Sequence, residues 1–202
     1  MKNMAILLSK DGFVKRSYGQ SIRKPIENGM VSIHFSFINH EDNFDITVDV
    51  GIRFNELEHM KNEDVTYLTT KEKSNTFTIG AELGNMCIGQ QKRWRVYSID
   101  DIDLVTSSMY EDIKNVLFPF IEKYSSRENA FDLCKKDDLE ANLYCAFDDE
   151  RAINAVAFAI ILNKEDQLKE LVFKKKKYLE DKKNEFELSN YLKFINKHLS
   201  NS

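Results

Sequence analysis

With 202 residues, 42% of them hydrophobic and 31% charged, the chain is long enough to bury a core and too apolar to be disordered. A net charge of −4 argues against a general nucleic-acid binder, and the longest apolar run, Ala155 to Leu162, falls far short of the roughly 20 residues that span a bilayer. The first residues, MKNMAILLSKDG, lack the basic leader, apolar core and cleavage site of an export signal, and Cys87, Cys134 and Cys145 form no CxxC pair, so three reduced thiols in a cytosolic protein are expected.

Residues 3 to 10 suit a short helix or an edge strand, and Asp11-Gly12 turns the chain into FVKRSYGQS, a mixed strand with Lys15 and Arg16 near its start. Lys24-Pro25 and Asn28-Gly29 punctuate the approach to residues 30 to 54, the strongest signal in the sequence. There Val31, Ile33, Phe35 and Phe37 alternate with Ser32, His34 and Ser36; Phe44, Ile46, Val48, Val50, Ile52 and Phe54 alternate with Asp45, Thr47, Asp49, Gly51 and Arg53. Period-two alternation predicts an antiparallel hairpin with one apolar face that needs a helical lid and one polar face that meets water. A loop of His40 to Asn43 pairs Phe35 with Val48 and His34 with Asp49, whereas a loop of Asn39 to Asp42 sets Thr47 opposite His34.

Beyond Phe54, NELEHMKNED reads as a short polar helix or loop; residues 75 to 83 and 93 to 99 supply further strands. From residue 100 the period becomes helical. Ser108 with Glu111 has the form of a capping box, Pro119 should kink or end the first helix near Phe118, and Ser125 with Glu128 suggests the next cap. A helix to about residue 137 and a region around Leu139 to Phe147 precede RAINAVAFAIIL, capped by Asp148 or Asp149 and stopped at Asn163. Its Ala152, Ala155, Ala157 and Ala159 allow close approach to a neighbouring element. Two amphipathic helices, about 165 to 182 and 186 to 199, complete the chain. The expected fold is α+β in a single domain: an antiparallel meander of about four to five strands over residues 1 to 99, covered by helices over 100 to 202.

Chemistry-bearing patterns are few. His34 facing Asp49 across two strands is compatible with an acid/base pair, and equally with an ordinary exposed sheet face on which opposed charges contribute roughly 0.2–1 kcal/mol a pair. No GxSxG elbow, phosphate-binding glycine loop or zinc-ligand spacing occurs, so no catalytic residue, cofactor or metal is expected. Acidic groups recur at Glu41-Asp42, Asp100-Asp101-Asp103, Asp137-Asp138-Glu140 and Asp148-Asp149-Glu150; many suit the first turns of helices, where carboxylates meet the positive end of the dipole. The run Lys174 to Lys177 is expected on a solvated helix face paired with neighbouring acids.

The segment GFVKR at 12 to 16, FDITVDVGIRF at 44 to 54 and the helical tail with its small-residue helix resemble a loose family of small bacterial cytosolic proteins of unknown function, some similar to immunity proteins that neutralise toxins. That resemblance implies a binding protein whose partner is a cognate protein toxin, with no membrane and no direct nucleic-acid contact. Basic toxins would be captured by carboxylates, the candidates being Glu41, Asp42, Asp45, Asp49, Asp100, Asp101 and Asp103. Two rival expectations are a small hydrolase or nuclease-like enzyme working on the His34/Asp49 face and a regulatory or scaffold protein whose helices bind a partner.

Overall fold

The computed structural model describes residues 1–15 and 19–199. The fold is α+β, with an antiparallel sheet in the N-terminal half and helices in the C-terminal half. The chain forms two compact units, one of Met1–Arg53 with Gly80–Ser125 and one of Phe54–Ile79 with Ser126–Ser202.

The first unit opens with α1 (Lys2–Ser9), the helical one of the two alternatives for this segment. Of the mixed strand expected next, only β1 (Val14–Lys15) lies among the described residues; Arg16 lies outside them. The following strand, β2 (Ser21–Ile26), is one that the sequence reading passed over, because Lys24-Pro25 looks like punctuation. Proline fits here because, among the described residues, β1 pairs with β2 at Ile22 and Arg23 and not at Pro25, which stands at an edge where no ladder donor is needed. Asn28, at φ 63°, closes a tight turn into β3 (Gly29–Asn39), with Ile26 opposite Gly29.

The hairpin of β3 and β4 (Phe44–Phe54) follows the alternation. His40 N–H donates to the Asn43 carbonyl at 2.8 Å, so the turn is Glu41-Asp42. Carried along the strands, that pairing sets Phe35 against Val48 and His34 against Asp49, the first of the two registers. Val31, Ile33, Phe35, Val48, Val50 and Ile52 are buried, each burial contributing roughly 1.5–3 kcal/mol. Their lid comes from α1 and from α5 (Ile102–Asp112): Met4, Val105 and Met109 share a cavity wall with Phe35 and Ile46. The opposite face departs from expectation. Ser32, Asp45, Thr47 and Arg53 are buried too, so it is not the water-facing surface that alternation alone implies.

Among the described residues the sheet has six strands in the order β1-β2-β3-β4-β5, with β6 also on β4, one more than expected. Both β5 (Ile79–Glu82) and β6 (Trp94–Val96) pair with β4, and the register of β6 sets Phe44 opposite Val96 and Asp45 opposite Arg95. At Gly80 a Cβ would lie 2.2 Å from the Val50 carbonyl oxygen, so only glycine fits.

The capping box expected at Ser108 and Glu111 falls inside α5; the real one is Ser98 with Asp101, in the 3₁₀ turn ahead of that helix. Pro119 is met by a change of winding. Residues Ile113–Leu117 form a π-helical turn, and α6 (Phe118–Tyr124) continues with proline in its first turn, where its missing donor costs nothing. The stacked rings of Phe13 and Phe118, 6.1 Å between centroids, tie this turn to the start of β1.

The second unit begins at Phe54, whose ring meets Phe158 edge-on at 5.1 Å. It contains α2 (Asn55–Asn62), α3 (Thr70–Lys73), α7 (Arg127–Lys135), α8 (Leu139–Tyr144), α9 (Asp148–Ile161), α10 (Glu165–Lys182) and α11 (Glu185–Leu199). The cap of α7 is Ser126 rather than Ser125, its hydroxyl accepting from Asn129 N–H at 3.1 Å. At the centre is α9, buried from Arg151 to Ala159 and packed by α2, α7, α10 and α11. Its alanines let the neighbouring backbones approach, and Asn163 ends it in the left-handed conformation at φ 52°. Neither Asp148 nor Asp149 caps it: the N-cap is Phe147, and both carboxylates lie inside the first turn.

Candidate partner-binding surface

The seven expected contact residues separate into two groups. Asp45 is fully buried where β4 and β6 pair. Arg95 grips it with two hydrogen bonds, Nε to Oδ1 at 2.8 Å and Nη2 to Oδ2 at 3.1 Å, His40 Nε2 lies 3.1 Å from Oδ2, and Arg93 stands 3.7 Å away. The hydrogen bonds from Arg95 hold its carboxyl well below the usual carboxylate range against the opposing effect of burial, with His40 adding to the pull. Such a carboxylate is spent internally. Asp49 is half-buried, and burial raises its pKa; His34 pulls the other way, and Glu82 adds to the rise. Neither residue belongs to an open acidic surface, which corrects that part of the expectation.

The other five lie at one end of the first unit. Glu41 and Asp42 form the exposed hairpin turn. Because Phe44 pairs with Val96, the chain beyond Val96 runs on beside that turn into the 3₁₀ segment of Ile99–Asp101. Asp101 is occupied there, accepting from the N–H groups of Tyr97 at 2.8 Å and Ser98 at 2.9 Å, and Asp103 accepts from Asn3 Nδ2 at 2.9 Å. Asp100 is exposed. Sequence reasoning missed the apolar residues among these acids: Tyr97, Ile99 and Leu104 are 66%, 80% and 76% exposed. Their clustering within eight residues, across the start of a helix whose inward positions are already filled, was the available signal.

The His34 face carries a polar row, since Ser21 lies opposite His34 with Oγ 3.0 Å from Nδ1, and Asp49 follows on the next strand. A hydrolytic triad holds its serine and carboxylate on opposite ring nitrogens beside an oxyanion site. Among the described residues, no hydrogen bond between Asp49 and the second ring nitrogen accompanies this contact.

In the second unit the acidic groups are consumed by structure. Arg151, fully buried, donates from Nη1 to the Cys145 carbonyl at 2.8 Å, from Nε to Asp137 Oδ1 at 3.1 Å and from Nη2 to Tyr178 OH at 3.0 Å, and it also pairs with Asp148. Lys175 donates to the same Asp137 oxygen at 2.8 Å. It lies within the lysine run expected to be solvated, yet it is 1% exposed; its neighbours Lys174 and Lys176 do pair with Glu170 and Glu180 as helix spacing predicts. Asp138 caps α8 through Ala141 N–H. Around α2, Glu58 is buried and accepts from Thr78 Oγ1 at 3.0 Å, while Lys61 bridges Glu58 and Glu150. Burial lowers the Lys61 pKa, but those two carboxylates more than offset it and hold the ammonium charged.

A cleft of about 510 Å³ in this unit is lined by Lys61, Tyr67, Glu150, Phe186, Lys193 and His198 among others. Its charges are largely paired within the unit, Lys61 with Glu150 and Lys197 with Glu63 and Asp64. Among the described residues, no group of three or more His, Cys, Asp or Glu side chains could hold a metal ion, and no helix is long and apolar enough to cross a membrane. Comparison of the chain with protein-family models, with curated proteins and with solved structures gave no match.

Proposed function

We propose that the chain is a cytosolic immunity-type protein that binds and neutralises a basic protein toxin, docking through the hairpin-tip end of its first unit. The observation that carries this reading is the composition of that end: exposed carboxylates of Glu41, Asp42 and Asp100 around exposed Tyr97, Ile99 and Leu104. An apolar centre with a charged rim is the anatomy of a protein interface, in which the rim steers encounter and the centre holds the complex. The three thiols are free, which suits a reducing compartment.

The partner is sought by co-expression and pull-down with the product of the neighbouring gene. Against that product, Glu41→Lys with Asp42→Lys should slow association about tenfold at low salt, and the loss should shrink as ionic strength rises, since screening acts over about 8 Å in physiological salt. An association rate indifferent to both charge reversal and salt overturns the reading. Failure to bind, together with hydrolytic activity abolished by His34→Ala, favours the enzyme.

A further inference from the structure

A small cavity of about 90 Å³ lies in the first unit between the apolar sheet face and the two helices that cover it. Phe35, Phe37, Phe44, Ile46, Val96 and Met109 supply much of its wall, and Thr106 is the one polar side chain lining it. It is not sealed: Ile102 is 38% exposed, and Phe37 and Phe44, whose rings lie 5.9 Å apart, are only half-buried. Two of these part-exposed residues adjoin the surface described above, Ile102 preceding Asp103 and Phe44 following the Glu41-Asp42 turn, and buried Val96 precedes Tyr97. The apolar hole therefore opens into the charged and aliphatic end of the unit.

We propose that this cavity is the anchor pocket of the interface, receiving one leucine or methionine side chain from a lysine- or arginine-rich segment of the partner. The proposal rests on the reading of this end as partner-binding. Size selects the occupant: an apolar cavity of about 150 Å³ holds a benzene ring, so 90 Å³ suits an isobutyl or thioether group and refuses an aromatic one. Charge selects its flanks, because carboxylates of Glu41, Asp42 and Asp103 stand by the mouth while, among the described residues, the side chains of its wall are uncharged. Interface energy concentrates where an apolar side chain fills a pocket ringed by contacts that exclude water, a role open to exposed Ile99 and Leu104.

The probe is the capped pentapeptide Lys-Lys-Leu-Lys-Lys, titrated into the full chain and followed by methyl NMR of Ile46, Val96, Ile102, Val105 and Met109. Trp94, the one tryptophan, is buried in β6 two residues from Val96 and gives a second signal by fluorescence. Saturable shifts of the cavity methyls are expected, with replacement of the peptide leucine by alanine weakening binding about tenfold and replacement by tryptophan weakening it as much. Val105→Phe, which fills the cavity, should abolish the shifts; if that chain fails to fold, Ile102→Arg at the mouth serves instead. Equal binding of the leucine and alanine peptides overturns the anchor while leaving the acidic surface standing. Cavity shifts that Glu41→Lys with Asp42→Lys leaves unchanged at every salt concentration keep the pocket but remove its basic flanks, and so overturn the proposal as stated. Absence of any shift at the cavity methyls overturns it outright.

Discussion

The Asp45 cluster of the first unit and the Arg151 cluster of the second bury charge with opposite polarity. In the first, the anion is inside: Asp45 is fully buried while its partners Arg95, Arg93 and His40 keep a third or more of their side chains in water. In the second, the cations are inside: Arg151 and Lys175 are buried and their carboxylates, Asp137 and Asp148, are the more exposed members. The difference follows from the side chains. A carboxylate is compact and strongly hydrated, so it goes inside where donors satisfy its oxygens, as the guanidinium of Arg95 does by gripping both oxygens of Asp45. Arginine and lysine carry long apolar stems that fill a core while the charged head finds its partners, and in a unit centred on an alanine-rich helix those stems supply bulk that alanine does not.

The sharpest way to break this contrast is to remove one inner charge. Arg151→Ala removes a fully buried side chain with its bonds to Asp137, Asp148 and the Cys145 carbonyl and should destabilise the protein by about 3–5 kcal/mol, read from denaturant midpoints. Phe35→Ala, the counterpart in the first unit, should cost a similar 3–5 kcal/mol through lost burial and the cavity left behind. Hydrogen exchange should localise each loss to its own unit, and a loss spread evenly over the chain would dissolve the distinction. Lys175→Ala is expected to cost about 1.5–3 kcal/mol, since it removes a charged hydrogen bond to Asp137, whereas Lys174→Ala one residue earlier should stay within about 0.5 kcal/mol.

Two pH effects sharpen it further. The Asp45 pKa is lower in the fold than in the unfolded chain, so its contribution is complete above about pH 4 and is lost as pH falls below that; Arg95→Gln should flatten the acid limb of a stability profile. Burial pushes the Cys145 thiol up to about 11 and the Cys134 thiol well above its ordinary value, so stability that rests on neutral thiols is present below about pH 9 and declines as pH rises through the folded values. Alkylation at pH 8 should accordingly label exposed Cys87 and spare the other two until the second unit unfolds, as mass spectrometry would report.

Legibility in the sequence tracked how locally each feature is determined. The β3–β4 hairpin and its parity are written in consecutive side chains, its register only to within two loop placements, and the helices Glu165–Lys182 and Glu185–Leu199 in a period that survives over many turns. Burial of the polar sheet face was illegible because it depends on what covers that face, and the destination of Asp45 depends on Arg95, fifty residues on. Lys175 could not be told from Lys174 by composition. The difference is which side of α10 faces Asp137, and the signal for it lay outside the lysine run, in Leu171 and Leu179, each four residues from Lys175 on the buried side of the helix. At the candidate surface, the acids were legible as a run and the apolar residues among them were visible, but only the pairing of Phe44 with Val96 brings the hairpin turn to the same end as Ile99.

The interleaving of the two units along the chain also sets an order of assembly at the ribosome. Residues of the first unit are complete once Ser125 has emerged, yet the stretch from Phe54 to Ile79 belongs to the second and finds its main partner, α9, only after Ile161. At roughly 5–20 residues per second, that stretch waits on the order of 4–16 s with Leu57 and buried Glu58 still uncovered. Glu56, Glu58 and Lys61 lie within two turns of α2, so the waiting segment carries charge throughout that interval, a composition that disfavours association between exposed apolar side chains.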